Sequence, residues 1–249
     1  MKANGKKMFY SKRQEEILEI LKARGNASVH FLSKELFVSE PTIRRDLSEL
    51  EKQGRVRRTF GGAVPCDILN LEVPLSLRER EGRGAKAIIA EKAASLLSDG
   101  QVIFLDASST ASYLVEHIAK YKDITVITNS PKTSLALAEK KVRSYCTGGL
   151  LLENSIAYVG NLAENFIRNF NADILFFSCR GLNYDGMLTD SSTRESELRR
   201  VMMANSAKLA FLCTSEKIGK KYMYNLCSAD TIDYIFCDDE GKMEGVLSN

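Results

Sequence analysis

Two arginines side by side, just behind a capped helix start, are residues whose type and spacing could do chemistry. In VSEPTIRRDL, residues 38–47, Ser39 suits a helix N-cap. Pro41 is tolerated in the first turn, where its missing N–H leaves no bond unmade. Ile43, Leu47 and Leu50 recur at i, i+4 and i+7 and define one buried face. At about 100° per residue, Arg45 points opposite that face, flanked by Arg44 and Thr42. Such a helix is anchored on an apolar stripe and offers cations and a hydroxyl outward, which suits a polyanion. A solvated basic surface is the plainer alternative.

A second set of residues falls where strand-like apolar runs end. Asp106, Ala107, Ser108, Ser109 and Thr110 follow QVIFL, and Thr128, Asn129 and Ser130 close ITVIT and precede Pro131. Gly148 and Gly149 follow VRSYCT, Arg180 and Gly181 follow DILFFSC, and Ser215, Glu216 and Lys217 follow LAFLCT. Hydroxyls and unpaired N–H groups at a helix start bind anions, and glycines let a backbone approach a ligand closely. The combination suits a phosphate together with a polyol. Taken singly, each group also reads as a cap, a turn or a solvated lysine, so their convergence carries the binding reading.

The elements that must position these residues follow from periodicity. Within residues 1–62, SKRQEEILEILKARG predicts a helix with Ile17, Leu18 and Leu21 on one face, stopping at Gly25. Ser28 caps a short second helix carrying Val29, Leu32 and Leu36. The Ser39 helix follows and ends at Gly54. RVRRTFGGAV then predicts a strand, a tight turn at Gly61-Gly62 and a return. Helix, short helix, turn, cationic helix and hairpin is the winged helix-turn-helix plan. Residues 63–76, AVPCDILNLEVPLS, lack a period and read as a linker. In residues 77–249 the runs QVIFLD, ITVIT, VRSYC, DILFFS, KLAFLC and TIDYIFC alternate with helical segments. That pattern predicts an α/β domain whose mostly parallel sheet is covered on both faces.

Composition sets the bounds. The chain has 249 residues, 44% hydrophobic and 27% charged, which is globular rather than disordered. Residues 1–62 hold 14 Lys/Arg against 8 Asp/Glu, and the remainder 21 against 24. A basic head on a mildly acidic body points to a polyanion partner for the head alone. No apolar run is long enough to span a membrane, and no apolar stretch follows MKANGKKMFY, so a cytoplasmic location is expected. The six cysteines form no CxxC pair; they read as reduced thiols within apolar runs rather than a disulfide framework. With only His30 and His117 beside them, neither a metal nor a cofactor is expected.

The stretch from RQEEILEIL through VSEPTIRRDLSELEKQGRVRRTFGGAV resembles the N-terminal domain of the DeoR family of bacterial transcriptional regulators. The family usually has His before the two glycines, where this chain has Phe60. The resemblance continues through the second domain. The family's arginine and lysine before the first sensor strand are similar to Arg80 and Lys86. Its Asp-x-Gly-Thr-Thr loop, Thr-Asn-Ser segment, Gly-Gly pair and Asp-x-Ser-Lys segment are matched by Asp106, Thr110, Thr128, Asn129, Ser130, Gly148, Gly149 and Lys217. Ser108 replaces the loop glycine, Ser109 the first loop threonine, and Thr214 the aspartate before the lysine.

The resemblance implies a winged helix-turn-helix joined to an isomerase-like α/β sensor. It further implies a repressor of carbohydrate-metabolism genes that binds a double-stranded DNA operator and is relieved by a phosphorylated sugar. Expected DNA contacts are Ser39, Glu40, Thr42, Arg44, Arg45, Arg57 and Arg58. Expected effector contacts are Arg80, Lys86, Asp106, Ser108, Ser109, Thr110, Thr128, Asn129, Ser130, Gly148, Gly149 and Lys217. Symmetric half-sites favour a homo-oligomer, dimer or tetramer. The alternative is a sugar-phosphate isomerase-like enzyme carrying a DNA-binding domain, with Asp106 as a candidate base and Asp185, Asp190 and Glu195 in a neighbouring segment. A purely structural DNA-binding protein is a third reading.

Overall fold

The computed structural model of the chain describes residues 3–52, 55–65 and 73–247. Contacts divide it into two compact units, Met1–Leu71 and Glu72–Asn249. Gly54 and, of the expected linker 63–76, residues 66–72 lie outside the described residues; residues 63–65 belong to a strand and residues 75–76 to a helix.

The first unit runs α1 (Ala3–Arg24), β1 (Ala27–Ser28), α2 (Val29–Glu35), α3 (Glu40–Lys52), β2 (Val56–Thr59) and β3 (Gly62–Pro65). After α1, Gly25 takes φ +75° and its N–H donates to the Leu21 carbonyl at 2.8 Å. That left-handed residue is how a helix end satisfies its last carbonyls. Ser28 caps α2, its hydroxyl accepting the Phe31 N–H at 3.0 Å. Ile43, Leu47 and Leu50 of α3 are buried against Ile17, Leu21, Leu32, Val56 and Ala63. β2 and β3 form the expected hairpin, with Thr59 opposite Gly62 across the Phe60-Gly61 turn. β1 adds a third strand, Ala27 opposite Ala63. A Cβ on Gly62 would lie 2.2 Å from the Ala27 carbonyl oxygen, so this approach needs glycine. The unit is a winged helix-turn-helix.

The second unit begins with α4 (Leu75–Arg80), α5 (Arg83–Ala93), β4 (Val102–Leu105), α6 (Val115–Ile118), β5 (Thr125–Thr128), α7 (Pro131–Glu139) and β6 (Arg143–Cys146). It continues β7 (Leu150–Leu152), β8 (Ala157–Val159), α8 (Asn161–Ile167), β9 (Ile174–Phe177), β10 (Gly181–Leu182) and β11 (Met187–Asp190). It ends α9 (Thr193–Ala204), β12 (Leu209–Cys213), β13 (Tyr224–Ser228), β14 (Tyr234–Cys237) and α10 (Glu240–Leu247). The six expected strand runs assemble into one parallel sheet, in the order β14-β12-β9-β4-β5-β6. Successive side chains alternate faces. Ile103, Leu105, Phe176 and Leu212 enter one core, while Phe104, Leu175, Phe177 and Phe211 enter the other.

The antiparallel pieces β7-β8 and β10-β11-β13 were not expected from periodicity. They are two to five residues long with mixed burial, too short to show a repeat. The chain fills one side of β4 with β5 and β6, then crosses to place β9 on the other. Ligands of open α/β sheets bind beyond the strand ends at such a switch point. Asp106 and Ser178, the residues after β4 and β9, stand there.

Candidate functional site

In the winged helix unit, Ile43, Asp46, Leu47 and Leu50 of α3 face inward, while Arg44 and Arg45 are exposed. Asp46 is an addition to the sequence reading. It is fully buried, and Arg13 of α1 donates to its two oxygens from Nε at 2.5 Å and Nη2 at 3.1 Å. This bidentate pair ties α3 to α1. No local pattern could signal it, because the partners lie 33 residues apart.

Ser39 and Thr42 share a hydroxyl contact at 2.9 Å in the first turn, and Ser39's carbonyl accepts the Thr42 N–H. Glu40 stands between two basic groups, 3.1 Å from His30 Nδ1 and accepting Arg44 Nη2 at 3.4 Å. On the hairpin, the Arg58 N–H donates to Glu51 at 2.9 Å, and Arg58 Nη1 to the Ser48 hydroxyl at 3.0 Å. Arg58 therefore fastens the wing to the outer side of α3, with Arg57 beside it on β2. The fold gathers the seven expected contact residues onto one helix, the residue that precedes it and the adjoining hairpin.

In the second unit, the β4 loop is built around Asp106. Its Oδ1 accepts the Ser108 N–H at 3.1 Å, and its Oδ2 accepts the Ser178 N–H at 3.2 Å and Arg199 Nε at 3.1 Å. Arg199 Nη1 also donates to Asp190 Oδ2 at 3.1 Å. Burial opposes the Arg199 charge, but Asp106, Asp190 and Glu195 outweigh it and raise its pKa. Glu195 is pushed upward by burial and by the Asp190 charge.

Lys217 Nζ donates to the Ser178 hydroxyl at 2.6 Å, and burial lowers its pKa. Lys86 is buried and donates to the carbonyls of Glu81, at 2.7 Å, and Arg78. Burial and the Lys217 charge bring it down to about 8. Arg78 is lowered to about 10 by burial and by the charge of Arg180. Arg80, by contrast, is exposed at the end of α4, so the arginine this helix turns inward is Arg78.

The hydroxyls do double work. Ser108 Oγ accepts the Ala111 N–H and Ser130 Oγ accepts the Thr133 N–H, both at 3.1 Å, the second as the α7 N-cap before Pro131. Each hydroxyl keeps its own proton to donate. Thr128 Oγ1 accepts the Ser130 N–H, and Asn129 Nδ2 donates to the Tyr158 carbonyl. Ser108, Ser109 and Ser130, with Leu75, Glu79 and Lys132, line a cavity of about 210 Å³. Thr110 Oγ1, Asn129 Oδ1, Ser191 Oγ and Arg78 Nη2 are buried without a hydrogen-bond partner. Buried polar atoms are normally paired; among the described residues Gln14 Nε2, Ser155 Oγ and Ser196 Oγ are likewise without a partner.

Gly148 and Gly149 take φ +64° and +111° after β6. A Cβ on Gly149 would lie 2.9 Å from the Val159 carbonyl oxygen, so that glycine is needed for β8 to pass. Buried Cys179 is pushed up to about 12 by burial, and so is a poor thiolate. Among the described residues no helix is long and apolar enough to cross a membrane, and no group of three His, Cys, Asp or Glu could hold a metal.

Comparison with known proteins places this arrangement. The DeoR-like helix-turn-helix domain matches residues 13–68, and the DeoR C terminal sensor domain matches residues 82–239. The class is therefore a helix-turn-helix transcriptional regulator with a separate sensor domain. The chain belongs to the DeoR family.

The HTH-type transcriptional regulator GlpR of Haloferax volcanii is 32% identical over 231 residues, spanning 93% of this chain and 91% of its own. The lactose phosphotransferase system repressor of Staphylococcus epidermidis is 30% identical over 232 residues, spanning 91% of each. Ribose 5-phosphate isomerase A of Methanocaldococcus jannaschii is similar at a TM-score of 0.43 and 14% identity, over 55% of each chain.

Proposed function

We propose that this protein binds a double-stranded DNA operator as a repressor of carbohydrate-metabolism genes, and that a phosphorylated sugar in its sensor unit relieves repression. The observation that carries the effector reading is the set of inward cations beside unpaired polar atoms. Lys86, Lys217, Arg78 and Arg180 influence one another's charge around the Asp106–Arg199–Asp190 network. A phosphate supplies negative charge for those cations, and sugar hydroxyls supply partners for Thr110, Asn129 and Ser191. The names of the two relatives, a transcriptional regulator and a lactose-system repressor, agree with this reading.

On DNA, α3 lies in the major groove, with Arg44 and Arg45 as its main cationic contacts and Ser39, Glu40 and Thr42 at its leading end. Arg57 and Arg58 place the wing on phosphates. The protein works as a homo-oligomer, dimer or tetramer, on symmetric half-sites. It performs no catalysis.

The DNA test compares Arg44→Ala and Arg45→Ala on a matched and a scrambled operator. A bidentate arginine–guanine contact contributes about 1–3 kcal/mol of discrimination, lost only on the matched site. A phosphate contact weakens both equally and lowers the salt slope by about one. If neither variant weakens binding, the docking is wrong. The effector test is thermal unfolding against phosphorylated hexoses, pentoses and trioses, where a ligand at about 100 times its Kd adds about 2.7 kcal/mol. The stabilising sugar must also release DNA. Turnover of that sugar by the purified protein would instead favour the isomerase-like enzyme.

A further inference from the structure

Residues Val73–Glu81 are the first described segment of the sensor unit, and the chain before them leads to the winged helix. They form a strap held largely by cations. The Val73 carbonyl accepts two guanidinium hydrogen bonds, from Arg78 Nε and from Arg180 Nη2, each at 3.1 Å. Lys86 of α5 holds the carbonyls of Arg78 and Glu81. Lys132 of α7 donates to both oxygens of Glu79, at 2.5 and 2.6 Å. Leu75, whose N–H donates to the Asn154 carbonyl at 2.6 Å, and Glu79 also line the cavity. Arg78 Nη2 is buried and unpartnered.

We propose that this strap is the effector-responsive part of the sensor: Arg78 and Arg180 receive the anionic group of the ligand, and in doing so let go of the Val73 carbonyl. The inference rests on the anion-binding reading above. Its physical basis is a competition between acceptors. A carbonyl is a neutral acceptor, so its guanidinium bonds are charge-assisted from one side only, whereas a phosphate oxygen brings the opposite charge and can take a guanidinium through two parallel N–H bonds. Two guanidiniums now spent on one carbonyl would therefore transfer to a phosphate within reach. The strap would then lose the tie that joins its first residue to the loop after β9. Because the strap continues into the chain that leads to the DNA-binding unit, its release is the covalent route by which an occupied sensor alters that unit.

The test is hydrogen exchange on the full chain, with inorganic phosphate as the probe and thermal unfolding as the separate measure of binding. With phosphate bound, the amides of Leu75, Leu77 and Arg78 should exchange about ten-fold faster, because local opening controls exchange at a strap. Arg180→Gln, which leaves the strap's own sequence intact, should show the faster exchange without phosphate and no further rise with it. If phosphate stabilises the protein while strap exchange is unchanged or slowed, the strap proposal fails and the anion site stands. If phosphate gives no stabilisation, the anion reading fails and the ligand half of the proposal falls with it. If Arg180→Gln leaves strap exchange as in the parent protein, Arg180 does not hold the strap, whatever phosphate does.

Discussion

At the scale of single residues, charge inside the fold carries most of the consequences. Asp46 is fully buried and its pair with Arg13 is bidentate. Removing one member of a buried pair strands the other, at a cost of about 3–5 kcal/mol. Asp46→Ala should therefore lower the stability of the winged helix by about 3 kcal/mol, read by hydrogen exchange at α3 amides. Undiminished protection there would mean that the pair contributes nothing net.

Lys86 makes a prediction of sign. Its pKa in the fold is about 8 against an ordinary 10.5. Between these values the unfolded chain binds the extra proton, so the unliganded protein gains stability as pH rises from about 8 toward 10.5. A bound phosphate prefers the charged lysine, so its affinity should fall over the same range, by up to about ten-fold per pH unit. Titration of phosphate affinity against pH checks this, and a flat profile above pH 8 would remove Lys86 from the site.

At the scale of elements, two adjacent glycines separate backbone strain from steric exclusion. Gly148 and Gly149 both have positive φ, but only Gly149 has a neighbour, the Val159 carbonyl oxygen, in the place of a Cβ. Gly148→Ala should cost about 1 kcal/mol, the strain of a left-handed alanine. Gly149→Ala should cost several times that, because β7-β8 must also move. Equal losses in denaturant unfolding would refute this assignment.

The wing makes a second case. Its tie to α3 runs through Arg58, Ser48 and Glu51. Arg58→Ala should weaken DNA binding on every sequence and flatten the salt dependence, since phosphate contacts are blind to sequence. A loss confined to one operator would assign Arg58 a base instead.

At the scale of the whole molecule, two units with separate cores divide the labour of a regulator. On the proposed symmetric half-sites a regulator of this plan binds as a symmetric assembly, so sedimentation at micromolar concentration should show a dimer or a tetramer. A monomer alone would contradict the half-site reading.

Much of this plan is legible in the sequence. Ile43, Leu47 and Leu50 announced a helix face, and β4, β9 and β12 announced the centre of the parallel sheet as apolar runs, because a strand buried on both sides has no polar positions to break its run; edge strand β6, with Arg143 and Tyr145 exposed, carries a weaker signal. The antiparallel strands of the sensor unit were silent, being as short as the two residues of β10.

Periodicity records only what a residue's near neighbours demand, so the sequence by itself determined the helices, the long strands, the hairpin turn and the hydroxyl-rich strand ends. Which charges face inward was decided by tertiary structure. Arg78 and Arg80 occupy the same short helix, yet one bonds Val73 while the other is exposed. Asp106 meets Arg199 across 93 residues of chain, and Arg180 meets Val73 across 107. A buried ion is tolerable only where its partner arrives in three dimensions, and no local pattern encodes that arrival.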